Sequence, residues 1–388
     1  MCRQGRLRGA RAVACGARAR QTAAGLCHLR FSLGRALRPL SCARSGRSGR
    51  AGVHLGRGWD AWDECSVLTP WWPAWPLVPR QAAAAALSSA RAPAVHPTAV
   101  VASSAKLGAG VQVGAFCVVG AGATLGDGVR LLPGAHVCSG GVSIGEGTVI
   151  HNHAVVGDET APGRVVLGAR NVVGTHAVVG ARCQDLKYEP GSECHLEVGD
   201  ENDIREFASI HRSSRPEWVT TIGNRNLIMG SAHVAHDCVL GDANILANAT
   251  LLAGHVRVGD CVHFGGAAAV HQFCQVGDYS FVAGGAMVER DVPAFLMVQG
   301  DRALLRGLNQ VGLRRSGFDE TQLRALRHAY MHLFVSDGAG EAHLEERMAQ
   351  LEAEEGFEAG GPVAQLLASI RGSERGICKF RFWAEPRA

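Results

Sequence analysis

From Val95 to Pro293 the chain advances in steps of six. "VHPTAV", "VASSAK", "LGAGVQ", "VGAFCV", "VGAGAT" and "LGDGVR" follow one another without a gap. Each hexad opens on an aliphatic residue, continues with Gly or another small residue, and carries a second small residue at its fifth position. A period of six is neither the 3.6 of a helix nor the 2 of a lone strand, so the repeating unit is larger than one element. One residue slips at Ser143, and interruptions fall at 158–166 and 185–197. From Val198 the register reads as unbroken to Pro293, giving about thirty hexads in all.

Hexads of this kind resemble the hexapeptide-repeat family, and the resemblance implies a left-handed parallel β-helix. Each hexad would supply one short strand and a turn, and three hexads would close a triangular coil of about 18 residues. The aliphatic residue would point into the prism, and Gly or Asn would serve corners that need positive φ. Coil stacked on coil then buries a continuous aliphatic column. About ten coils at roughly 4.8 Å each make a prism near 48 Å long.

Composition agrees with a turn-rich β protein: Gly occurs 50 times and charged residues make up only 19%. The net charge of +4 hides an asymmetry. Residues 1–58 hold thirteen Arg and no acidic residue, so residues 59–388 carry 26 Lys+Arg against 35 Asp+Glu. An acidic body disfavours nucleic-acid binding through bulk charge. The Arg-rich, acid-free leader has the composition of a transit peptide, mitochondrial first and chloroplast second. Residues 59–94 read as a linker of unassigned role. No apolar run reaches transmembrane length. Without any C-x-x-C pair, neither a zinc ribbon nor a disulfide framework is expected, and Cys117, Cys238 and Cys274 sit at the small fifth position as core residues. After Pro293 the period changes. "DETQLRALRHAYMHLF", with Asp319 as N-cap, "EAHLEERMAQLEAEE" and "PVAQLLASIRG" read as helices of a C-terminal domain over 294–388.

An 18-residue coil gathers histidines that are distant in sequence. His236 stacks over Gly254 with His255 beside it, and Gly254 stacks over Gln272 with His271 beside it. His233 sits half a hexad before His236 on the same coil. An imidazole with a pKa near 6.5 is a general base suited to neutral pH. Asp237 is placed to orient it, and a Gly beside it leaves an N–H open to a developing oxyanion.

"HPTAVV", "QDLKY", "IREFASIHR", "NLIMGSAHVAHDC", "LANATLLAGHV", "GGAAAVHQFCQVG", "VPAFLMVQGDRA" and "GLRRSGF" together resemble the UDP-N-acetylglucosamine O-acyltransferases, over residues 95 to about 377. The resemblance implies transfer of a 3-hydroxyacyl group from acyl carrier protein to the 3-hydroxyl of UDP-GlcNAc, the first step of lipid A biosynthesis, with no cofactor and no metal. It implies His236 as general base, Asp237 as its orienting partner and Gly254 as oxyanion donor. Asp185, Lys187, His211, His233, His255, His271 and Gln272 match substrate-contacting positions. Asn309, Arg314 and Arg315 fall in the nucleotide-binding segment, and Gly284 at the position that limits chain length. The family commonly has an acidic residue where Val311 stands, a second Arg at Ser316, and a His near Arg302. It also forms a homotrimer with each active site between two prisms. Arg302, Arg306, Arg314, Arg315, Arg324 and Arg327 offer a basic surface to the acidic carrier.

Three other readings stay open. One is the sister N-acyltransferase of the same pathway, which normally has a separate uridine-binding domain before the prism; residues 59–94 are too short for one. Another is a non-catalytic scaffold on the same fold. The last is a gamma-type carbonic anhydrase, which would hold zinc through three His across a subunit interface. Gln275 and Val276 stand where the second His of its close pair would be sought.

Overall fold

A computed structural model describes residues 92–160, 162–335 and 343–380. The Arg-rich leader and all of 59–94 but its last three residues lie outside the described residues. The hexads form a triangular prism of three parallel sheets. The first face has twelve strands, the last antiparallel, and the second and third have ten and nine. Most strands are two residues long, one residue inward and one outward, as in Leu227–Ile228 and Val239–Leu240. Inward Val, Ile and Leu from all three faces make one continuous core, which also holds Cys117, Cys238 and Cys274 as expected. Corners turn through left-handed residues such as Asp237 (φ 60°) and His255 (φ 62°). Backbone N–H groups of each coil donate to the carbonyls of the next, for example Val239 N–H to Val256 O at 3.0 Å. Inside the corner between the third and first faces, Asn171, Asn202, Asn226 and Asn244 form a buried ladder. Each amide oxygen accepts an N–H from the following coil. The side-chain N–H groups of Asn171, Asn202 and Asn226 find acceptors in the same ladder, as burial demands.

Eighteen-residue spacing holds where the hexads are regular: Val234 pairs with Leu252 and Leu252 with Val270. It fails four times on the second face, where Val137 pairs with Val156 across the slip at Ser143, Val156 with Val179, Val179 with Ile210, and Ile210 with Val234. The last mismatch corrects the expectation of an unbroken register after Val198. Residues 212–218 leave the prism between strands Ser209–His211 and Val219–Ile222. The excursion adds six residues, one full period, so it preserves the phase of the hexads and cannot be seen by counting sixes. The flanks of the other two interruptions pair as strands, Gly163–Leu167 and Cys194–Val198. All three excursions, and the slip at Ser143, leave at one edge, the corner between the second and third faces.

The hexads end at Pro293, but the first sheet does not. Leu296–Gln299 adds a parallel strand, and Leu304–Leu308 folds back antiparallel on it. Four helices follow: α1 (Gln310–Arg315), α2 (Glu320–Phe334), α3 (Leu344–Glu352) and α4 (Pro362–Arg371). Asp319 caps α2 through a full capping box with Gln322. Leu323, Leu326 and Leu333 are buried on one face. Asp291 fastens this region to the last coil. It is 3% exposed, and its carboxylate accepts from Gln275 N–H (2.8 Å), Ser373 Oγ (2.7 Å) and Arg375 N–H (3.1 Å). Asp291→Ala should cost about 3 kcal/mol, roughly 1 per hydrogen bond lost. Urea melts of the two proteins would measure it, and a change below about 0.5 kcal/mol would remove Asp291 from that role.

Candidate active site

The corner that sheds the excursions also carries the histidines. The dyad forms on the coil that opens with Val234. His236 Nδ1 lies 2.6 Å from Asp237 Oδ2. The second carboxylate oxygen accepts the Ser214 N–H at 3.0 Å, and the Asp237 N–H donates to Thr220 Oγ1 at 2.8 Å. The side chain of Asp237 is only 4% exposed. Burial pushes its carboxyl up, but the hydrogen bonds from His236 and Ser214 outweigh that and hold the pKa below the ordinary carboxylate value. An ionised Asp237 fixes the proton of His236 on Nδ1 and leaves Nε2 as the acceptor.

Nε2 stands over Gly254. A Cβ built on Gly254 would lie 2.5 Å from His236 Cε1 and 2.7 Å from Nε2, so only glycine admits the ring. At equivalent corners the N–H is capped by a side chain of the next coil: Ala121 donates to Ser139 Oγ and Asn224 to Asp242 Oδ1. Gln272 occupies that place above Gly254, and among the described residues the Gly254 N–H donates to no group. An imidazole nitrogen and an open backbone donor therefore face one space.

His255 completes the cluster. Its Nε2 lies 3.5 Å from Asp237 Oδ2, and its ring meets His236 edge-on at 5.2 Å and stacks on Phe273 at 4.5 Å. Burial, more than it is offset by Asp237, keeps its pKa below the ordinary imidazole value. His233, one strand earlier, bonds through Nδ1 to Ser209 Oγ at 2.7 Å and meets His211 edge-on at 4.8 Å. Burial, then the neighbouring imidazoles, push His211 down to about 4 and lower His233 as well. His271 and Gln272 lie exposed on the next coil, with His271 Nδ1 3.1 Å from the Gln272 carbonyl.

The excursions wall this corner. Asp185 and Lys187 stand on the second excursion, where Asp185 Oδ1 accepts the Lys187 N–H at 2.9 Å. With Ser214, Arg215, Trp218, His255 and Phe273 they line a cleft. Arg215 lies over the Trp218 ring at 5.0 Å. Arg212, 2% exposed, donates to Pro162 O and approaches Asp158 Oδ2 at 3.9 Å, while Asp158 accepts the Arg182 N–H. One buried guanidinium and one carboxylate thus link all three excursions.

Sequence reasoning missed Ser209, Ser214, Thr220, Arg215 and Trp218. At 18-residue spacing His233 would stack over Arg215, but the hidden six-residue excursion places it over Ser209 instead. Counting back 24 residues rather than 18 would have found the pair.

Four of the expected site residues do not join the cluster within one chain. Gly284 is exposed at the corner between the first and second faces, over Gly266. Asn309 caps α1, accepting the Gly312 N–H and donating to Tyr279 O at 2.8 Å. Arg314 pairs with Glu320 at 3.1 Å. Arg315 lies near His263 on the first face, where after burial its charge disfavours protonation of that ring. In a triangular prism the first face is opposite the corner that holds His236.

Comparison with known proteins places this arrangement. Residues 104–139 match the model of bacterial transferase hexapeptide repeats, and residues 291–378 match domain 2 of UDP N-acetylglucosamine O-acyltransferase. A crystal structure of Arabidopsis UDP-N-acetylglucosamine acyltransferase is 50% identical, with a TM-score of 0.70 over 74% of this chain and 100% of that one. The chain belongs to the UDP-N-acetylglucosamine O-acyltransferase family. The family's structure from Moraxella catarrhalis is 35% identical, with a TM-score of 0.60 over 74% and 99% of the two chains. Among curated sequences, the probable mitochondrial acyl-[acyl-carrier-protein]–UDP-N-acetylglucosamine O-acyltransferase of Arabidopsis thaliana is 50% identical over 208 residues, which is 53% of this chain and 62% of that one. The Anaeromyxobacter (strain K) member is 43% identical over 198 residues, 50% and 74% of the two chains. The left-handed parallel β-helix followed by helices is the fold of this family.

His211 links the site to stability. Its folded pKa is depressed, so the unfolded chain takes up protons first as pH falls. The stability it contributes is complete above about pH 6.5, is lost between there and pH 4, and amounts to about 3 kcal/mol. Thermal melts from pH 7 to 4 should show this loss, and His211→Gln should flatten the curve. An unchanged slope would refute the assignment.

Proposed function

We propose that this chain transfers a 3-hydroxyacyl group from acyl carrier protein to the 3-hydroxyl of UDP-GlcNAc, with His236 as general base. The observation that carries the reading is the His236–Asp237 pair at 2.6 Å with Nε2 over Gly254. The sugar hydroxyl attacks the thioester carbonyl as Nε2 removes its proton. Asp237 stabilises the imidazolium that forms, and the free Gly254 N–H stabilises the tetrahedral oxyanion. Collapse expels the carrier thiol, which recovers the proton from His236. His211 and His233, held neutral by burial, serve as hydrogen-bonding groups rather than charges. Asp185, Lys187, His255, His271 and Gln272 line the approach to the base.

A second prism completes the site. Asn309, Arg314 and Arg315 lie across the prism from His236, so both sets can touch one substrate only if a neighbouring copy supplies one of them. This supports a homotrimer with the site between subunits, in which Gly284 on an adjoining prism limits the acyl chain. The basic first part of the helical region is the docking surface for the acidic carrier. The Arg-rich leader and the mitochondrial name of the Arabidopsis relative support a mitochondrial location.

His236→Ala should lower kcat at least about 10²-fold with the fold retained. Near-full activity would exclude His236 as base. Gly254→Ala should lower kcat too, because its methyl must displace the ring, and a silent substitution would contradict the oxyanion role. Arg315→Ala should raise KM for UDP-GlcNAc more than it lowers kcat, and unchanged KM would remove Arg315 from the nucleotide site.

A further inference from the structure

Cys138, like Cys183 and Cys194, is a buried cysteine of the prism outside the aliphatic core. Cys117, Cys238 and Cys274 belong to the aliphatic core. Cys138 is as buried, at 2% exposed, yet lies outside that core. It follows the inward Val137 on the second face, so it points outward on the same side of the strand as His136. Its Cβ and Sγ lie 2.8 and 3.6 Å from where a Cβ of Gly157 would stand, a position only glycine leaves free. The first excursion covers it and brings Glu159 over the strand. Glu159 Oε1 lies 3.2 Å from His136 Nε2 and accepts the Ser139 N–H at 3.0 Å. The excursion is held separately: Asp158 accepts the Thr160 N–H at 2.8 Å and the Arg182 N–H at 3.0 Å. One donor atom each of His136, Cys138 and Glu159 lies within 4.8 Å of the other two.

We propose that His136, Cys138 and Glu159 form a binding site for a divalent cation of the zinc class, with water in a fourth position. A thiolate, an imidazole and a carboxylate suit a borderline ion and exclude Mg²⁺ and Ca²⁺, which take oxygen ligands. Donors around tetrahedral zinc are about 3.5 Å apart, so the three atoms need close by little. Glu159 sits on a surface excursion and is the ligand free to close that distance. The site lies four rungs from the strand that precedes His236, on the same corner. It uses none of the residues assigned to acyl transfer. A bound ion would cross-link the first excursion to its coil, and through Asp158 and Arg182 brace the excursion that carries Asp185 and Lys187.

The test uses the full chain, stripped of metal and titrated with Co²⁺, then Zn²⁺. Thiolate ligation to cobalt gives an intense near-ultraviolet charge-transfer band. One equivalent of Co²⁺ should produce that band, and Zn²⁺ should abolish it and raise Tm. Cys138→Ser should remove both effects. Glu159→Gln and His136→Asn alter exposed or half-buried side chains and should weaken affinity by more than about tenfold, the least that loss of an outer-shell partner costs. They decide the matter if Cys138→Ser does not fold. His236, Asp237 and His255 also place donor atoms within 4.8 Å of one another, so His236→Ala is the control and should keep the band. Cobalt bound without the band, a band that survives Cys138→Ser, or binding lost in His236→Ala and untouched by Glu159→Gln would overturn the proposal.

Discussion

Coil-to-coil backbone hydrogen bonding is the constraint on which the rest of the molecule depends. A two-residue strand has no stability of its own. Each is fixed because its N–H and C=O groups pair with the coils on either side, and because its inward residue joins a column shared by all three faces. Register is therefore not local. It determines which side chains from distant parts of the sequence stand over one another, and so it determines the site. His236 lies over Gly254 because Val234 pairs with Leu252, not because anything near His236 calls for a glycine.

The same constraint explains where the chain departs from its repeat. A solenoid tolerates extra residues only at corners, where they loop out without breaking a ladder. Here every insertion uses one corner of the three. The three excursions rise on the coils that precede His236 and are linked by Asp158 and Arg212. They supply what the bare prism lacks: Ser214 to hold Asp237, Asp185 and Lys187 to line the approach, and Trp218 against His255. The dyad is thereby half built from the regular wall and half from loops anchored to it. That division gives rigidity to His236 and Asp237 and leaves Asp185, Lys187 and Trp218 on segments able to vary.

Burial tunes the histidines into separate roles. His211 and His233 are kept neutral by burial among imidazoles. His236 alone has a carboxylate hydrogen-bonded at Nδ1, at 2.6 Å, which fixes its tautomer and turns Nε2 toward Gly254. Four similar side chains on three coils, His211, His233, His236 and His255, thus stand in different surroundings, set by burial and a single carboxylate.

Much of this could be read in the sequence. The period of six implied the repeat, and the hexapeptide resemblance turned that period into an 18-residue coil. Together they brought His236, Gly254, His255 and Gln272 together, because stacking in a solenoid is arithmetic once the coil length is known. Asp319 and the apolar spacing of 323–333 marked α2 through capping and a 3.6-residue period, both local properties. The strand pair after Pro293 lay beyond reach, since Leu296–Gln299 carries no hexad signature and pairs only because the last coil offers an open edge. The excursion at 212–218 was hidden because it adds one whole period, and with it went Ser209 under His233 and Ser214 on Asp237. Tertiary structure alone decided that Asn309 and Arg315 lie across the prism from His236. Sequence fixes the order of residues along a coil, but the direction a side chain faces around a triangle follows only from where each corner turns.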